Sequence, residues 1–419
     1  MPPILDNPIV VTGLGVVSPF GLGRDVFWRS LIAGADALRP LDRFDTEGYR
    51  FKTGGQVPFD DNELGHGDLD LAHRFAFYAV DEAMKQSGFS DGLGSVDPAR
   101  FAAVGATNFG GVATGEGLAR DVLANDRPFD RARYDESSGA ALAHRLGDRY
   151  GLRGPRLVQS LSCASGNAAL ETAWRMARAG RIDAAIVVGY DALNAFCLSG
   201  LSALRTMTTD TVRPFDANRN GTLFSEGAGA LVVETLASAK RRGAKPLAEL
   251  AGCATDNNAF HMTAPDKGGE GQVTAVRRAM RDGGVDPGTV DHVNMHGTGT
   301  KYNDSTETAV FKTVLGRRAR EIPFTSIKSM IGHTMGAASA LEAIASILTM
   351  REGVVPPTIH YNKPDPECDL DYCTDGPRKG DYGVVVNNSS GIGGCNSIIV
   401  LRRRPLAGRA GGRGTTQSG

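Results

Sequence analysis

The chain contains one helix twice. The segment Gly166-Asn167-Ala168-Ala169-Leu170-Glu171-Thr172-Ala173 returns 170 positions later as Gly336-Ala337-Ala338-Ser339-Ala340-Leu341-Glu342-Ala343. Each copy follows a Ser/Thr-rich loop, and each runs on to a glycine, Gly180 in the first and Gly353 in the second. An internal repeat of this kind marks a duplicated structural unit. It predicts two related halves, at 1–250 and 251–405, with extra polar material in the first from about 110 to 150. The remainder, 406–419, is Gly, Arg, Thr and Ser without apolar periodicity and is expected to be a disordered tail.

The material around the repeat fits an α/β fold. Ala184–Gly189, Ala230–Glu234, Tyr382–Val386 and Ile398–Leu401 are β-branched runs that read as buried strands. Ala-rich stretches alternate with them, at Ala72–Gln86, Ala168–Ala179, Val273–Asp282 and Ala337–Arg351, and read as amphipathic helices. Strands alternating with helices imply a largely buried sheet. Glycine reaches 54 of 419 residues without a collagen-like period, so it should serve turns and close backbone approaches. Thr12-Gly13-Leu14-Gly15-Val16-Val17-Ser18 imitates a dinucleotide fingerprint, but Ser18 stands where its third glycine belongs. A buried turn from strand to helix is the expectation there.

Composition removes several classes of function. With 41% hydrophobic and 22% charged residues the chain is not disordered as a whole. Lys plus Arg is 46 against 47 for Asp plus Glu, so the basic excess of a general nucleic-acid binder is missing. No apolar run reaches the length of a membrane span, and the Met1-Pro2-Pro3 start does not read as a signal peptide. The six cysteines, Cys163, Cys197, Cys253, Cys368, Cys373 and Cys395, form no C-x-x-C pair. They suggest reduced thiols of a cytoplasmic protein and no metal site.

Four blocks could carry chemistry. Cys163 opens the first repeat helix among the small residues Ala164, Ser165 and Gly166, where helix N–H groups and dipole favour a thiolate and should lower its pKa. A buried structural cysteine is the equal alternative. His296 ends a strand and enters the turn Gly297-Thr298-Gly299-Thr300. Lys328 and His333 precede the second repeat helix as Cys163 precedes the first, so a pseudo-twofold would bring Cys163 to His333. Glu342, on that second helix, could pair with Lys328, either buried or as a weak surface ion pair. Ser389-Ser390-Gly391-Ile392-Gly393-Gly394 is dense enough in glycine to bring a backbone N–H close to a ligand.

Taken together, in order and spacing from Val10 to Leu401, these blocks resemble a 3-oxoacyl-[acyl carrier protein] synthase of the type II, thiolase-fold class. Arg213-Pro214-Phe215-Asp216, Ser225-Glu226-Gly227-Ala228-Gly229 and Phe260-His261-Met262-Thr263-Ala264-Pro265 match it as well. The resemblance implies a thiolase-like fold of duplicated α/β halves in α-β-α-β-α layers. It makes Cys163 the acyl-accepting nucleophile, and His296 and His333 the groups that hold malonyl-carrier protein during decarboxylation. Lys328 becomes the supporting lysine and Glu342 its partner, while Asp304 and Glu307 match acidic positions behind the histidine turn. The N–H groups of Cys163 and Ile392 would form the oxyanion hole. Thr298 and Thr300 would bind the pantetheine arm, and Ser390 and Ile392 would contact substrate. No cofactor is implied beyond the phosphopantetheine on which an acyl carrier protein brings the substrates. A homodimer is expected, or a heterodimer with a chain-length-factor subunit.

The chain also departs from the pattern. Family members carry Phe-Gly-Phe-Gly-Gly-Thr-Asn where this chain has Ser390-Gly391-Ile392-Gly393-Gly394-Cys395-Asn396, so both aromatic positions of the acyl-pocket gate are lost. Ser390 and Ile392 should then leave a wider mouth, suited to bulky or unsaturated chains as much as to fatty-acid synthesis. Three other readings stay open. A thiolase-type acyl-CoA enzyme would need a second cysteine such as Cys395. A non-catalytic chain-length subunit would generally lack Cys163. A ketosynthase-like enzyme could transfer or cyclise an acyl chain without decarboxylation. Arg213, Arg277, Arg278 and Arg281 are candidates for the basic patch that an acidic carrier protein needs.

Overall fold

The computed structural model describes residues 7–404, and the tail expected at 406–419 lies outside the described residues. Ten strands carry the architecture: β1 (Ile9–Ser18), β2 (Phe101–Ala106), β3 (Arg156–Gln159), β4 (Ala184–Asp191), β5 (Gly227–Thr235), β6 (Ala248–Asn257), β7 (His292–Asn294), β8 (Phe324–Thr325), β9 (Val384–Gly391) and β10 (Cys395–Arg402). They bond in the order β8-β7-β9-β10-β6-β1-β5-β4-β2-β3. Outward from the β1–β6 junction, the second half repeats the first with every strand number raised by five. Direction repeats too. β1–β5 and β5–β4 are antiparallel and β4–β2 and β2–β3 parallel. The second half runs β6–β10, β10–β9, β9–β7 and β7–β8 with the same sequence of directions. The halves join at the antiparallel pairs Val10–Glu249 and Val11–Ala248. The second unit thus opens at Ala248, just ahead of the boundary expected after residue 250.

Five helices position the site: α1 (Leu71–Ser87), α2 (Ser165–Arg178), α3 (Glu270–Asp282), α4 (Lys301–Leu315) and α5 (Ala338–Glu352). The polar stretch forms three further helices, Val112–Ala124, Arg131–Glu136 and Ala140–Tyr150. Strand residues alternate faces. In the first half Ile186, Val188 and Val232 face outward onto Phe75, Ala79 and Ala83 of α1, while Val187 and Leu231 face inward onto α2 and α5. In the second half Val293, Ile398 and Val400 face α3 and α4, and Val385, Ile399 and Leu401 join the same inner core. The result is five layers, α-β-α-β-α, with the central strands buried on both faces.

Two expectations change. Thr12–Ser18 is not a turn but part of β1 itself. A Cβ on Gly13 would lie 2.1 Å from the Ala83 carbonyl oxygen, and one on Gly15 would lie 1.8 Å from that of Ala79. The two glycines let α1 press against the strand. Nor is α5 amphipathic: every residue from Ala338 to Met350 is buried, because a helix in the middle layer has protein on all sides.

The repeat helices meet at their N-terminal ends. A Cβ on Gly166 would lie 2.6 Å from the Ala340 backbone nitrogen, and the Asn167 N–H donates to Ser339 Oγ at 2.9 Å. The small residues that make the repeat visible in the sequence are those that allow this approach.

Candidate active site

Cys163 lies between β3 and α2. Lys328 and His333 lie between β8 and α5, the matching place in the second half. Crossing the N-termini of α2 and α5 therefore brings both loops to one point. Ser162 sits at φ 50°, a left-handed conformation costly for a residue with a Cβ. Its hydroxyl donates to the Ile392 carbonyl at 3.0 Å, and the Ser389 hydroxyl donates to the Cys163 carbonyl at 3.1 Å. Gly391 allows a close approach here, since a Cβ would lie 3.0 Å from Ser162 Cβ and 3.1 Å from the Leu161 carbonyl oxygen. This seam presents the N–H groups of Ile392 and of Cys163 itself to the sulfur.

His296 follows β7. Its turn is held from behind by Glu307 of α4, which accepts the N–H groups of His296 at 2.5 Å and Gly297 at 2.9 Å, and the Asn388 amide at 2.5 Å. Asp304 accepts the N–H groups of Phe215 at 2.9 Å and Gly299 at 3.1 Å. Burial raises both carboxyls, Glu307 to about 7, against the pull of these donors. Both acids brace the turn.

The Lys328 ammonium donates to the His296 carbonyl at 2.8 Å and stands 3.3 Å from its Nδ1. It also pairs with Glu342. The two side chains are 1% and 2% exposed, so this is a buried pair rather than a surface one. Burial pushes Glu342 up to about 7, opposed by the adjacent ammonium. Nδ1 of His296 faces a donor and Nδ1 of His333 accepts the Met335 N–H at 3.1 Å, which assigns the ring proton to Nε2 in both. Nε2 of His333 has no partner among the described residues. The two rings lie 5.5 Å apart at 84°.

Sγ of Cys163 and ring nitrogens of His296 and His333 all fall within 4.8 Å of one another. Among the described residues this is the one group of such side chains close enough to share an ion; the Lys328 charge beside His296 opposes a cation there. Burial, then Lys328 and His333, holds His296 well below the usual imidazole range, and burial and Lys328 do the same to His333. Both rings are neutral donors.

The cysteine corrects its expectation. Burial pushes the thiol up to about 11, although Lys328 and the Ile392 N–H pull it down. The start of α2 favours a thiolate, but removal from water costs the anion more.

The three side chains floor a cavity of about 460 Å³ walled by Thr298, Thr300, Ser390 and Ile392. The Thr298 and Thr300 hydroxyls bond each other at 2.9 Å. Met262 and Tyr302, 70% and 66% exposed, stand at its outer end. Sequence reasoning missed Phe224, whose ring lies 5.4 Å from that of His333, although it directly precedes the quoted Ser225-Glu226-Gly227 segment. It also missed Gln272 and Asn258, which line the cavity too. Cys395 does not fit a second catalytic thiol: its sulfur lies 3.4 Å from the Asn257 amide nitrogen, while its neighbour Asn396 faces the cavity. Of the proposed docking arginines, Arg213, Arg278 and Arg281 pair with Asp210, Asp256 and Asp282 at 2.6, 3.3 and 3.5 Å, and Arg277 is exposed.

Fold and site together define a protein of the thiolase-like class. The chain belongs to the beta-ketoacyl synthase family, acyl-transferring condensing enzymes: the family's N-terminal domain matches residues 6–239 and its C-terminal domain residues 247–362. It is 36% identical to the tetracenomycin polyketide synthase ketoacyl synthase alpha subunit of Streptomyces glaucescens, over 95% of this chain and 97% of that one. It is 35% identical to nodulation protein E of Rhizobium meliloti (strain 1021), over 95% and 100%. Among solved structures, a type II polyketide synthase acyl-carrier protein in complex with its ketosynthase bound to the hexaketide gives a TM-score of 0.87 at 31% identity, over 95% and 100%. The ishigamide ketosynthase/chain length factor gives 0.87 at 34%, over 95% and 100%. Among the described residues, no helix is long and apolar enough to cross a membrane.

Proposed function

We propose that the chain extends a Cys163-bound acyl group by decarboxylative Claisen condensation with malonyl-[acyl carrier protein], giving 3-oxoacyl-[acyl carrier protein], in polyketide synthesis. The observation that carries this reading is one buried thiol within 4.8 Å of two neutral imidazoles. An acyl thioester enters on a pantetheine arm, passing Thr298 and Thr300. Cys163 attacks the carbonyl, its proton ends on the departing pantetheine thiol, and the N–H groups of Ile392 and Cys163 hold the transient oxyanion. Malonyl thioester follows. As its carboxylate leaves as CO2, the electron pair moves into an enolate whose oxygen takes Nε2–H donors from His296 and His333. Neutral imidazoles suit this role, and no base is needed. The enolate carbon then attacks the acyl-Cys163 carbonyl, a C–C bond forms and the thiolate is released. Holding both thioesters in one cavity makes the step effectively unimolecular.

The carrier protein and a twofold partner, either a second copy or a chain-length-factor subunit, belong to the same proposal. The two solved relatives, with their carrier protein and chain length factor, support it. The test is mass spectrometry after incubation with acyl- and malonyl-carrier protein. Acyl-Cys163, CO2 and an extended product are expected. Acyl transfer or a cyclised product without CO2 would replace condensation with the ketosynthase-like alternative.

A further inference from the structure

Ser390 does not leave the open space that its small size suggested. Its hydroxyl accepts from Gln272 Nε2 at 3.1 Å and donates to Asn396 Oδ1 at 2.9 Å. Asn396 Nδ2 then donates to Asn258 Oδ1 at 2.6 Å, and the Asn258 N–H donates to the Gly394 carbonyl at 2.8 Å. Every member has its donor and acceptor sense fixed by the next. Gln272 and Asn396 are 3% and 2% exposed, so neither can exchange its partner for bulk water. Further ties hold the same hairpin: Gly393 N–H donates to the Met262 carbonyl at 2.7 Å, and Asn257 Nδ2 donates to the Gly393 carbonyl at 2.9 Å. All these bonds converge on the turn between β9 and β10, which carries Ile392. Where relatives are expected to carry two phenylalanines, this chain has a continuous polar relay from the first turn of α3 to the hairpin.

We propose that Gln272 and Ser390 are positioning residues that fasten the β9–β10 hairpin, holding the Ile392 N–H against Cys163 in place of a swinging aromatic gate. The inference deepens the acyl-transfer reading and rests on it for its kinetic arm. A phenylalanine at 390 would strand the Gln272 amide and the Asn396 oxygen, so the relay and an aromatic residue exclude each other at this position. The hairpin is expected to stay fixed between acylation and condensation.

The test has two readouts. One is the rate of acyl loading of Cys163 from acyl-carrier protein. The other is the pH profile of Cys163 alkylation by iodoacetamide, a displacement that forms no oxyanion. Ser390→Ala and Gln272→Leu should each slow loading by about 10- to 100-fold, less than the roughly 100- to 1000-fold cost of deleting one oxyanion donor. Both should also move the alkylation inflection to higher pH, because the N–H that favours the thiolate has moved. Ser390→Thr keeps the hydroxyl and should restore both readouts, and the double variant should be no worse than the poorer single one. Wild-type loading and an unmoved inflection in Ser390→Ala or in Gln272→Leu would overturn the relay, as would slowed loading that threonine fails to rescue. If wild-type protein itself takes no acyl group, the acyl-transfer reading fails, while the alkylation profiles still decide the relay.

Discussion

The ammonium of Lys328 lies 3.3 Å from Nδ1 of His296 and is held there by Glu342. A fixed positive charge at that distance disfavours a protonated ring. It therefore adds to burial in keeping the histidine that faces the substrate neutral, and it sets the tautomer of that ring. Lys328→Met should abolish decarboxylation, and it should destabilise the fold by about 3–5 kcal/mol because Glu342 is left buried and alone. Lys328→Met/Glu342→Leu should recover much of that stability and none of the activity. Denaturant midpoints and CO2 release measure the two effects separately. Active double variant would remove Lys328 from the mechanism.

With its thiol pushed up to about 11, Cys163 should alkylate faster with each step in pH through the neutral range and beyond 9. A plateau near pH 7 would mean that the helix start outweighs burial. Cys163→Ala should fold normally and take up no acyl group, whereas Cys368→Ala and Cys373→Ala, neither of which lines the cavity, should load as wild type.

His296→Ala and His333→Ala should keep acyl loading and lose malonyl decarboxylation by roughly 100- to 1000-fold each, the scale for one donor to a developing oxyanion. The steps separate because the acyl-transfer oxyanion faces backbone N–H groups and the enolate faces the rings. Wild-type CO2 release from either variant would contradict the role given to that ring.

The repeat made much of this legible. The segments at 166–173 and 336–343 show one helix twice, and the pseudo-twofold that this repeat implies is enough to bring Cys163 to His333. What the sequence hid was burial. The thiol's helix context was visible, but not the depth that reverses its pKa. Gln272 looked like an ordinary polar residue at a helix start, because its partner Ser390 is 118 positions away. Gly13 and Gly15 read as a turn because nothing local shows that α1 lies across them.

Burial also fixes a pH response away from the site. His292 in β7 is held down to about 4 by burial, with Nδ1 2.9 Å from the Pro323 carbonyl. Below about pH 6.5 the unfolded chain binds a proton there that the folded chain refuses, so this residue's contribution to stability falls as pH falls, by up to about 3 kcal/mol at pH 4. Glu307 and Glu342, raised to about 7, act in the opposite sense. The informative quantity is therefore a difference. His292→Asn, which keeps a donor for Pro323, should gain about 2 kcal/mol relative to wild type between pH 7 and pH 5. A gap independent of pH would show that His292 is free to titrate in the folded protein.

Substrate range should respond at Ile392, whose side chain lines the cavity while its N–H faces the sulfur. Ile392→Phe leaves that N–H and the Ser390 relay in place. It adds a ring at the wall nearest Cys163, where the added volume meets the first carbons of an incoming chain. Short saturated acyl groups should load at near wild-type rates. Bulky or polyunsaturated ones, which cannot fold past the ring, should load more slowly. A few methylene groups in an apolar pocket are worth only about 1–3 kcal/mol, so discrimination should be graded with chain size. A competition assay with a panel of acyl-carrier proteins, wild type against Ile392→Phe, reads the rank order directly. If that order stays the same, the hairpin positions the oxyanion without selecting the chain.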